Sequence, residues 1–375
     1  MMGAYTFCVG AFPVLLPEVG VALGLANWQL GIVAGAFGFA RMVTNIPAGL
    51  LVTHRPRRAL IGGPVLMLVG MALVTSGGHG FTWLVLGQVL VGTGYTLANL
   101  ASVTTILRSK ASQGLASTLN IFELSAMIAV LSAVTLTGLL PKLLPWNIAF
   151  LIGCSPMLIG VAALRGVLNH VDPAPTQPRF GRMDTGASGP RGSARSVVML
   201  AFAAGGTVAL TYTTLASFLV PLRGSREFGL DRAGIAQLLM LVQICDIIAL
   251  LPVGALADAR GTPRVLAAGL LTLAGATALI GLGAFPYVVA GCGLFGLSMA
   301  GWMLPLGLLR SATPASQVAW RTALYRVCVD GGMFLGPVLS GILASTYPRL
   351  LPSVLVIVLA LLAGALVLAR RRAGL

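Results

Sequence analysis

Charge is what this sequence has least of. Asp, Glu, Lys and Arg make up 9% of its 375 residues and hydrophobic residues 57%, whereas a soluble domain carries roughly 25% charged residues. So few polar side chains could not cover a water-soluble globule, and that class is excluded. Acids are the scarcer sign, nine against 24 basic residues. In a soluble chain such a surplus would suggest nucleic acid. Here most basic residues fall in short segments between apolar runs, so the surplus is topological. The expected surroundings are a lipid bilayer, and no nucleic-acid partner is expected.

Histidine is nearly missing too. His54, His79 and His170 lie at the ends of apolar runs or between them, which leaves no imidazole deep in a membrane for proton relay or metal binding. The five cysteines, Cys8, Cys154, Cys245, Cys292 and Cys328, sit inside apolar stretches without a Cys-x-x-Cys pair or a neighbouring histidine. They read as small apolar filler. No metal and no cofactor are expected, and no Gly-x-x-x-x-Gly-Lys-Ser/Thr loop is present to hold ATP phosphates. The nine acids are scattered, without the clustering that a metal-dependent or nucleophilic membrane enzyme needs. The chain is not expected to be an enzyme.

What is present is a series of about twelve apolar segments near the roughly 20 residues that span a bilayer. They cover 3–22, 29–52, 59–77, 82–107, 114–138, 146–168, 197–221, 232–256, 264–283, 285–310, 318–344 and 350–369. The first has no basic lead-in and no cleavage site, so it reads as a spanning helix rather than a signal peptide. Its lead-in is short enough that the natural chain is expected to begin further upstream. One long polar stretch, His170 to Arg195, is rich in Pro, Gly, Ser and Arg and reads as a flexible linker. The expected organisation is a six-helix bundle over 1–168, a cytoplasmic linker over 169–196 and a second six-helix bundle over 197–375.

The two halves repeat. Gly24-Leu25 recurs as Gly229-Leu230, Pro47, Gly49 and Leu51 as Pro252, Gly254 and Leu256, and Arg55 as Arg260, at an offset of 229 − 24 = 260 − 55 = 205. The register then slips by one. Gly87 and Gly92 pair with Gly291 and Gly296, and Ala111-Ser112-Gln113 with Ala315-Ser316-Gln317, since 291 − 87 = 315 − 111 = 204. Duplication in a membrane chain points to a transporter.

Basic residues set the orientation. Arg55, Arg57, Arg58, Arg108, Lys110, Arg179, Arg182, Arg191, Arg195, Arg260, Arg264, Arg310 and Arg370 to Arg372 fall on one side; Lys142, Arg223, Arg226, Arg232 and Arg349 fall on the other. The richer side is expected to be cytoplasmic. Both termini and the linker then lie in the cytoplasm, in a bacterial inner membrane.

Two loops carry a resemblance. Between segments eight and nine runs Gly254-Ala-Leu-Ala-Asp258-Ala-Arg260-Gly261-Thr-Pro-Arg264. Between two and three stand Gly49, Leu51, Arg55, Arg57 and Arg58, with Thr53 in the acid's place. Both are similar to the Gly-x-Leu-Ala-Asp-Arg-x-Gly-Arg-Arg loop of the major facilitator superfamily, which the chain resembles over essentially its full length. The resemblance implies an all-α membrane protein of about twelve transmembrane helices in two pseudo-symmetric bundles. It implies a monomeric secondary carrier that moves a small-molecule substrate by alternating access, with protons or another ion as coupling partner. It also implies a conformational latch at Gly49, Arg55, Gly254, Asp258 and Arg260, where glycine lets helices approach and the charges pair or cap helix ends. Thr53 weakens the first copy.

Segment four is similar to the family's Arg-x-x-x-Gly helix, with Gln88 in the place of an arginine associated with proton coupling, followed by Gly92 and Gly94. Segment five, with Gly114, Asn120 and Glu123, lacks the Gly-Pro-rich run of the family's exporters. A similar run stands in segment eleven, from Gly331 through Gly336-Pro337 to Gly341, where small residues allow tight packing and Pro337 a bend. Export and uptake stay open. The reading leans to proton-coupled efflux of a drug or metabolite. Uptake of an organic anion or nutrient is the alternative, and a non-transporting receptor or scaffold the alternative of another class.

Five ionisable residues lie far from any segment end: Arg41, Glu123, Asp246, Arg326 and Asp330. Each charge held there costs roughly 2.5 to 3.5 kcal/mol, so it needs a partner or water. Arg41 and Asp246 occupy matching positions with opposite sign, 246 − 41 = 205. Arg326 and Asp330 are four apart and can neutralise each other. In the resembled fold segment two packs against eleven and five against eight, which would bring Arg41 to that pair and Glu123 toward Asp246. Two carboxylates close together in a low-dielectric cleft do not both stay ionised. These five are therefore the candidates for substrate binding and coupling; the competing reading is that they merely tie the halves together.

In the resembled family segments one, four, seven and ten line the cavity. Those segments are polar in places: Tyr5 and Thr6; Gln88, Tyr95, Asn99 and Ser102; Thr207, Thr211, Tyr212 and Thr214; Ser298 and Trp302. A hydroxyl can return to its own backbone, so Gln88, Tyr95, Asn99, Tyr212 and Trp302 are the expected cavity-lining residues. Met299 and Met303 beside them suit an amphipathic organic solute.

Overall fold

The computed structural model describes residues 2–76, 80–109, 115–168, 192–314 and 317–373, and nearly all of them are helical, with no strand among the described residues. Twelve of the helices are long and apolar enough to cross a membrane. In chain order the spans are Met2–Tyr5 with Phe7–Ala22, Asn27–His54, Pro56–Thr75, Phe81–Ser109, Leu115–Leu139 and Trp146–Cys154 with Met157–Leu168. The seventh joins Gly192–Thr213, a π-helical turn Thr214–Leu219 and Val220–Arg226; then come Arg232–Arg260, Thr262–Leu282, Phe285–Met299 with Leu304–Ser311, Val318–Leu343 and Leu350–Ala373. All twelve expected segments are present. The linker expected over 169–196 lies outside the described residues up to 191, and from Gly192 onward the chain is already helical. Lys110, Arg179, Arg182, Arg191, His79, His170 and the Ala111-Ser112-Gln113 repeat also lie outside the described residues, as do the side chains of Arg108, Arg195 and Arg370 to Arg372.

Four spans are interrupted where uniform helices were expected. Span one breaks at Thr6, span six at Ser155-Pro156, and span ten between Met299 and Leu304, while span seven widens into its π turn. Proline accounts for two of these. Pro156 has no N–H to return to Ile152, and Pro305 has none to return to Gly301. Yet Pro13, Pro17, Pro47, Pro64, Pro252 and Pro337 sit inside continuous helices, so proline alone does not set a break.

The described residues cluster into two compact units. The first comprises Met1–Gln177 with Ala216–Met240, the second Pro178–Leu215 with Leu241–Leu375. The first unit thus holds spans one to six together with the end of span seven, the turn after it and the start of span eight.

Within the first unit, spans three and four approach closely along paired glycines. A Cβ on Gly63 would lie 2.8 Å from the Gly94 carbonyl oxygen, and one on Gly70 would lie 2.6 Å from that of Gly87. The sums 63 + 94 and 70 + 87 are equal, as an antiparallel pair requires. Their far end is sealed by Ala48, Val52, Ala59, Leu60, Leu97, Ala101 and Leu164. In the second unit Gly336 of span eleven packs on span seven, its added Cβ 2.5 Å from the Leu210 carbonyl oxygen. Large apolar side chains left uncovered, such as Leu251 at 81% and Ile159 at 69% exposure, suit acyl chains rather than water.

The sequence repeat is a structural repeat. Gly24 and Gly229 both end a helix in the left-handed region, at φ +61° and +64°, where glycine carries no Cβ penalty. The following N–H groups, of Leu25 and Leu230, close back on the carbonyls of Gly20 and Gly224 at 3.0 and 2.8 Å. A second match runs between spans. An added Cβ on Gly92 would meet the Phe37 carbonyl, and one on Gly296 the Val242 carbonyl, and 242 − 37 = 205. Span four therefore crosses span two as span ten crosses span eight.

Candidate functional site

Arg41 lies midway along span two, one turn beyond Phe37. Its guanidinium carbon stands 5.6 Å from the centre of the Phe37 ring and 5.5 Å from that of Tyr95 on span four, with the two rings 5.5 Å apart. The close crossing at Gly92 brings them together, since any larger residue there would push span four off the Phe37 backbone. A cation over aromatic faces recovers part of the attraction it loses on leaving water.

Gln88, Tyr95 and Asn99 follow one another at spacings of seven and four, which places them on one face of span four. Gln88 is 5% exposed. Its Nε2 finds no hydrogen-bond partner among the described residues, and neither does Oδ1 of the half-buried Asn99. Three hydroxyls of spans four, seven and ten return to their own helices. Ser102 donates to Ala98 O, Thr211 to Thr207 O and Ser298 to Phe295 O, at 2.7 to 2.8 Å. Tyr5 is fully buried and donates to Gly160 O at 3.3 Å, a tie between spans one and six.

In the second unit Asp246 takes the place that Arg41 has in the first, one turn beyond the carbonyl met by the span-ten glycine, since 41 − 37 = 246 − 242 = 4. The matching positions of span ten are different. At the offset of 204, Gln88, Tyr95 and Asn99 correspond to Cys292, Met299 and Met303. Tyr212 packs its ring edge-on to Trp302 at 5.7 Å and against Phe295 at 6.0 Å. Trp302 lies in the break of span ten and Tyr212 directly before the π turn of span seven. The Thr214 hydroxyl in that turn is buried without a hydrogen-bond partner among the described residues. Non-helical backbone at membrane depth is tolerated where it is covered by protein or lines a cavity, and broken spans are where carriers place their sites.

The expected coupling residues fall in different surroundings. Asp330 is buried to 2% exposure, Asp246 is half-buried, and Arg326 and Glu123 are exposed on their helices. At the loop motif a Cβ on Gly49 or Gly254 would meet nothing within 4 Å among the described residues. A latch there would act through Arg55, Asp258 and Arg260; Asp258 and Arg260 are exposed. Thr53, in the acid's place, donates its hydroxyl to Gly49 O at 2.8 Å.

Sequence reasoning missed one polar cluster. Arg232, 2% exposed, donates to both Glu18 oxygens and to the carbonyls of Pro141 and Leu144. Beside it Lys142 pairs with Asp231 at 2.6 Å, and Arg226 donates to Asn27 Oδ1. The Lys142 ammonium, and after it the Gly234 N–H, hold the Asp231 carboxyl below the usual carboxylate range.

A model of the Major Facilitator Superfamily matches residues 1–222 and 197–374. This chain belongs to that superfamily. It is therefore a membrane-embedded transporter of the major facilitator kind, and its all-helical fold has that architecture. No curated protein matches the sequence. Among solved structures it is similar to a mutant of the peptide transporter POT, at TM-score 0.79 and 15% identity over 98% of this chain and 93% of that one. It is also similar to a bacterial homolog of the human lysosomal transporter Spinster in an inward-facing and occupied conformation, at TM-score 0.71 and 14% identity over 99% and 94%. A mutant of the nucleoside transporter NupG matches at TM-score 0.74 and 15% identity over 98% of both chains. At such identities these likenesses describe the major facilitator fold, not a substrate.

Proposed function

We propose that this major facilitator protein is a secondary active carrier of a small organic solute, working by alternating access, coupled to protons and acting as a monomer. The observation that carries the reading is the opposed pair at one repeat position, Arg41 in one copy and Asp246 in the other. A midspan charge is expensive unless it is used. A base in one copy and an acid in the other supply a cation for solute and a titratable group for the driving ion. Glu123 and Asp330 are the further acids of the coupling set, and Arg326 its further base. Gln88, Tyr95, Asn99, Tyr212 and Trp302 line the solute's path in this reading.

We adopt export from a bacterial inner membrane, with both termini cytoplasmic, because the span-eleven run around Gly336-Pro337 resembles in composition the run of the family's exporters. A second reading, uptake of an organic anion with protons, is favoured by the donors around Arg41. The test is flux in vesicles reconstituted with the purified protein, using a solute panel with a pH gradient of either sign. Gradient-dependent movement supports the carrier reading, and the sign that drives it gives the direction. Solutes that bind but never move would make the chain a receptor.

A further inference from the structure

We propose that Cys8, Met71, Cys154 and Met157 form a binding site for one soft monovalent metal ion, of the copper(I) class, inside the first unit. The site does not depend on the carrier reading and shares no residue with the proposed solute path.

The four side chains come from spans one, three and six, and each is 4% exposed or less. The Cys8 thiol is their centre. Its Sγ lies 3.5 Å from Met71 Sδ and 3.9 Å from Met157 Sδ, and Cys154 interacts with the same thiol. A thiol has one proton and a thioether is a weak acceptor, so hydrogen bonding does not account for the whole group. A shared ion does. Three sulfurs placed evenly around an ion at about 2.3 Å, the length of a zinc–thiolate bond, stand about 4 Å apart.

The donor set selects the ion. Thiolate and thioether are soft ligands that favour copper(I), whereas magnesium and calcium require oxygen. Zinc takes thiolate, imidazole or carboxylate, and two of the four sulfurs here are thioethers. Among the described residues no three His, Cys, Asp or Glu could hold a metal ion together, which is what a harder ion would need. When copper(I) enters, one thiol gives its proton to solvent and its sulfur bonds the ion. The thiolate and the monovalent ion then carry no net charge, the condition that a dry membrane interior favours.

The backbone gives independent support. Span six breaks at Ser155-Pro156, between Cys154 and Met157, and span one breaks at Thr6, two residues before Cys8. Pro156 has no N–H, so Met157 is not locked in helical register with Cys154 and its sulfur can close on an ion. Broken spans are also where carriers hold ions. Nor does the shared fold call for sulfur at these positions. In the second copy Cys8 answers to Thr213, and Met71 to Ala276 or Gly275 on either side of the register slip, since 213 − 8 = 276 − 71 = 205 and 275 − 71 = 204.

The experiment uses the full purified chain in detergent, stripped of metal with a chelator and kept reduced. Copper(I), maintained by ascorbate and buffered by bicinchoninate, is added as the only metal, and copper retained per chain and the thermal unfolding temperature are measured. The expected result is one tightly held copper(I) per chain and a raised unfolding temperature, with no such rise from zinc or magnesium added alone. Cys8→Ala is expected to abolish retention. Met71→Leu and Met157→Leu, which conserve volume, are each expected to weaken it roughly tenfold or more, at least what a lost outer-shell partner costs. Cys245→Ala, Cys292→Ala and Cys328→Ala combined are expected to leave it unchanged. If Cys8→Ala fails to fold, the two leucine variants carry the test. The proposal is overturned if the chain takes up no copper(I), if zinc is held as tightly, or if the Cys8 and leucine variants retain copper like the wild type, which would make the four sulfurs core packing alone. Copper is counted without transport, so a chain that moves no solute still tests the site, and failure of the site leaves the carrier reading standing.

Discussion

Arg232 and Glu18 are joined by two parallel bonds, Nε to Oε1 at 2.8 Å and Nη2 to Oε2 at 2.5 Å. Two backbone carbonyls, Pro141 O at 3.3 Å and Leu144 O at 3.0 Å, take further donors of the same guanidinium. Span one, the turn after span five and the start of span eight are thereby drawn to one side chain. Bidentate charge-assisted pairs of this kind are the strong ones.

The two ends of this pair are not equally buried, and that predicts unequal losses. The Glu18 side chain is 34% exposed and the Arg232 side chain 1%. Glu18→Ala leaves a buried cation with carbonyls alone and is expected to cost about 3 kcal/mol. Arg232→Met leaves a carboxylate that water can reach and is expected to cost less. Thermal unfolding of both variants and of the double variant checks this, and equal losses would contradict the burial argument.

The neighbouring Lys142–Asp231 pair carries a pH signature. Asp231 titrates below its unfolded value of about 4 because the Lys142 ammonium hydrogen-bonds the ionised form. Its contribution is therefore present in full above the unfolded value and is lost as pH falls through the lowered folded one. Lys142→Met should lower stability at neutral pH by roughly 1 kcal/mol or less, as an exposed pair does. The gap from wild type should close as the solution is acidified below that folded value. A gap that widens in acid would reverse the assignment.

Glycines that look alike in sequence should behave oppositely. Gly92→Ala places a Cβ 2.6 Å from the Phe37 carbonyl oxygen, and Gly296→Ala crowds the Val242 carbonyl. Backbone on backbone cannot yield cheaply, and each is expected to destabilise by about 1 to 3 kcal/mol. Gly49→Ala and Gly254→Ala meet open space among the described residues within a helix, where alanine is favoured by roughly 0.5 to 1 kcal/mol. Melting temperatures of the four variants give the comparison.

Two buried threonines separate structure from use. Thr137 and Thr214 are both fully buried, and neither Oγ1 has a partner among the described residues. Thr137→Val and Thr214→Val should each be neutral or stabilising, since an unfilled polar group is removed. Thr214 lies in the π turn of span seven, a feature frequent at functional sites. Its variant alone is expected to lower transport of the solute, measured as flux at subsaturating concentration.

Much of the fold was legible because membrane spans announce themselves by length and apolarity, and because Gly24 and Gly229 mark the same turn in both copies. The midspan charges were legible for the same reason, as exceptions in apolar text. The Arg232–Glu18 pair was not, since its partners are 232 − 18 = 214 residues apart, off both repeat offsets, and lie near span ends. The breaks in spans one, six and ten fall within apolar runs and change no composition. Proline hinted at two of them but stands in several unbroken helices as well. The open surroundings of Gly49 and Gly254 among the described residues were not legible, because sequence shows a missing side chain, not what stands opposite it.

The most direct measurement compares two kinds of movement by Asp246→Asn in vesicles, beside wild type and Glu123→Gln. Exchange of labelled for unlabelled solute needs no driving ion, whereas accumulation under a pH gradient does. The account predicts that Asp246→Asn keeps exchange and loses gradient-driven accumulation, with Glu123→Gln impaired in the same sense. Full gradient-dependent accumulation by both variants would contradict it.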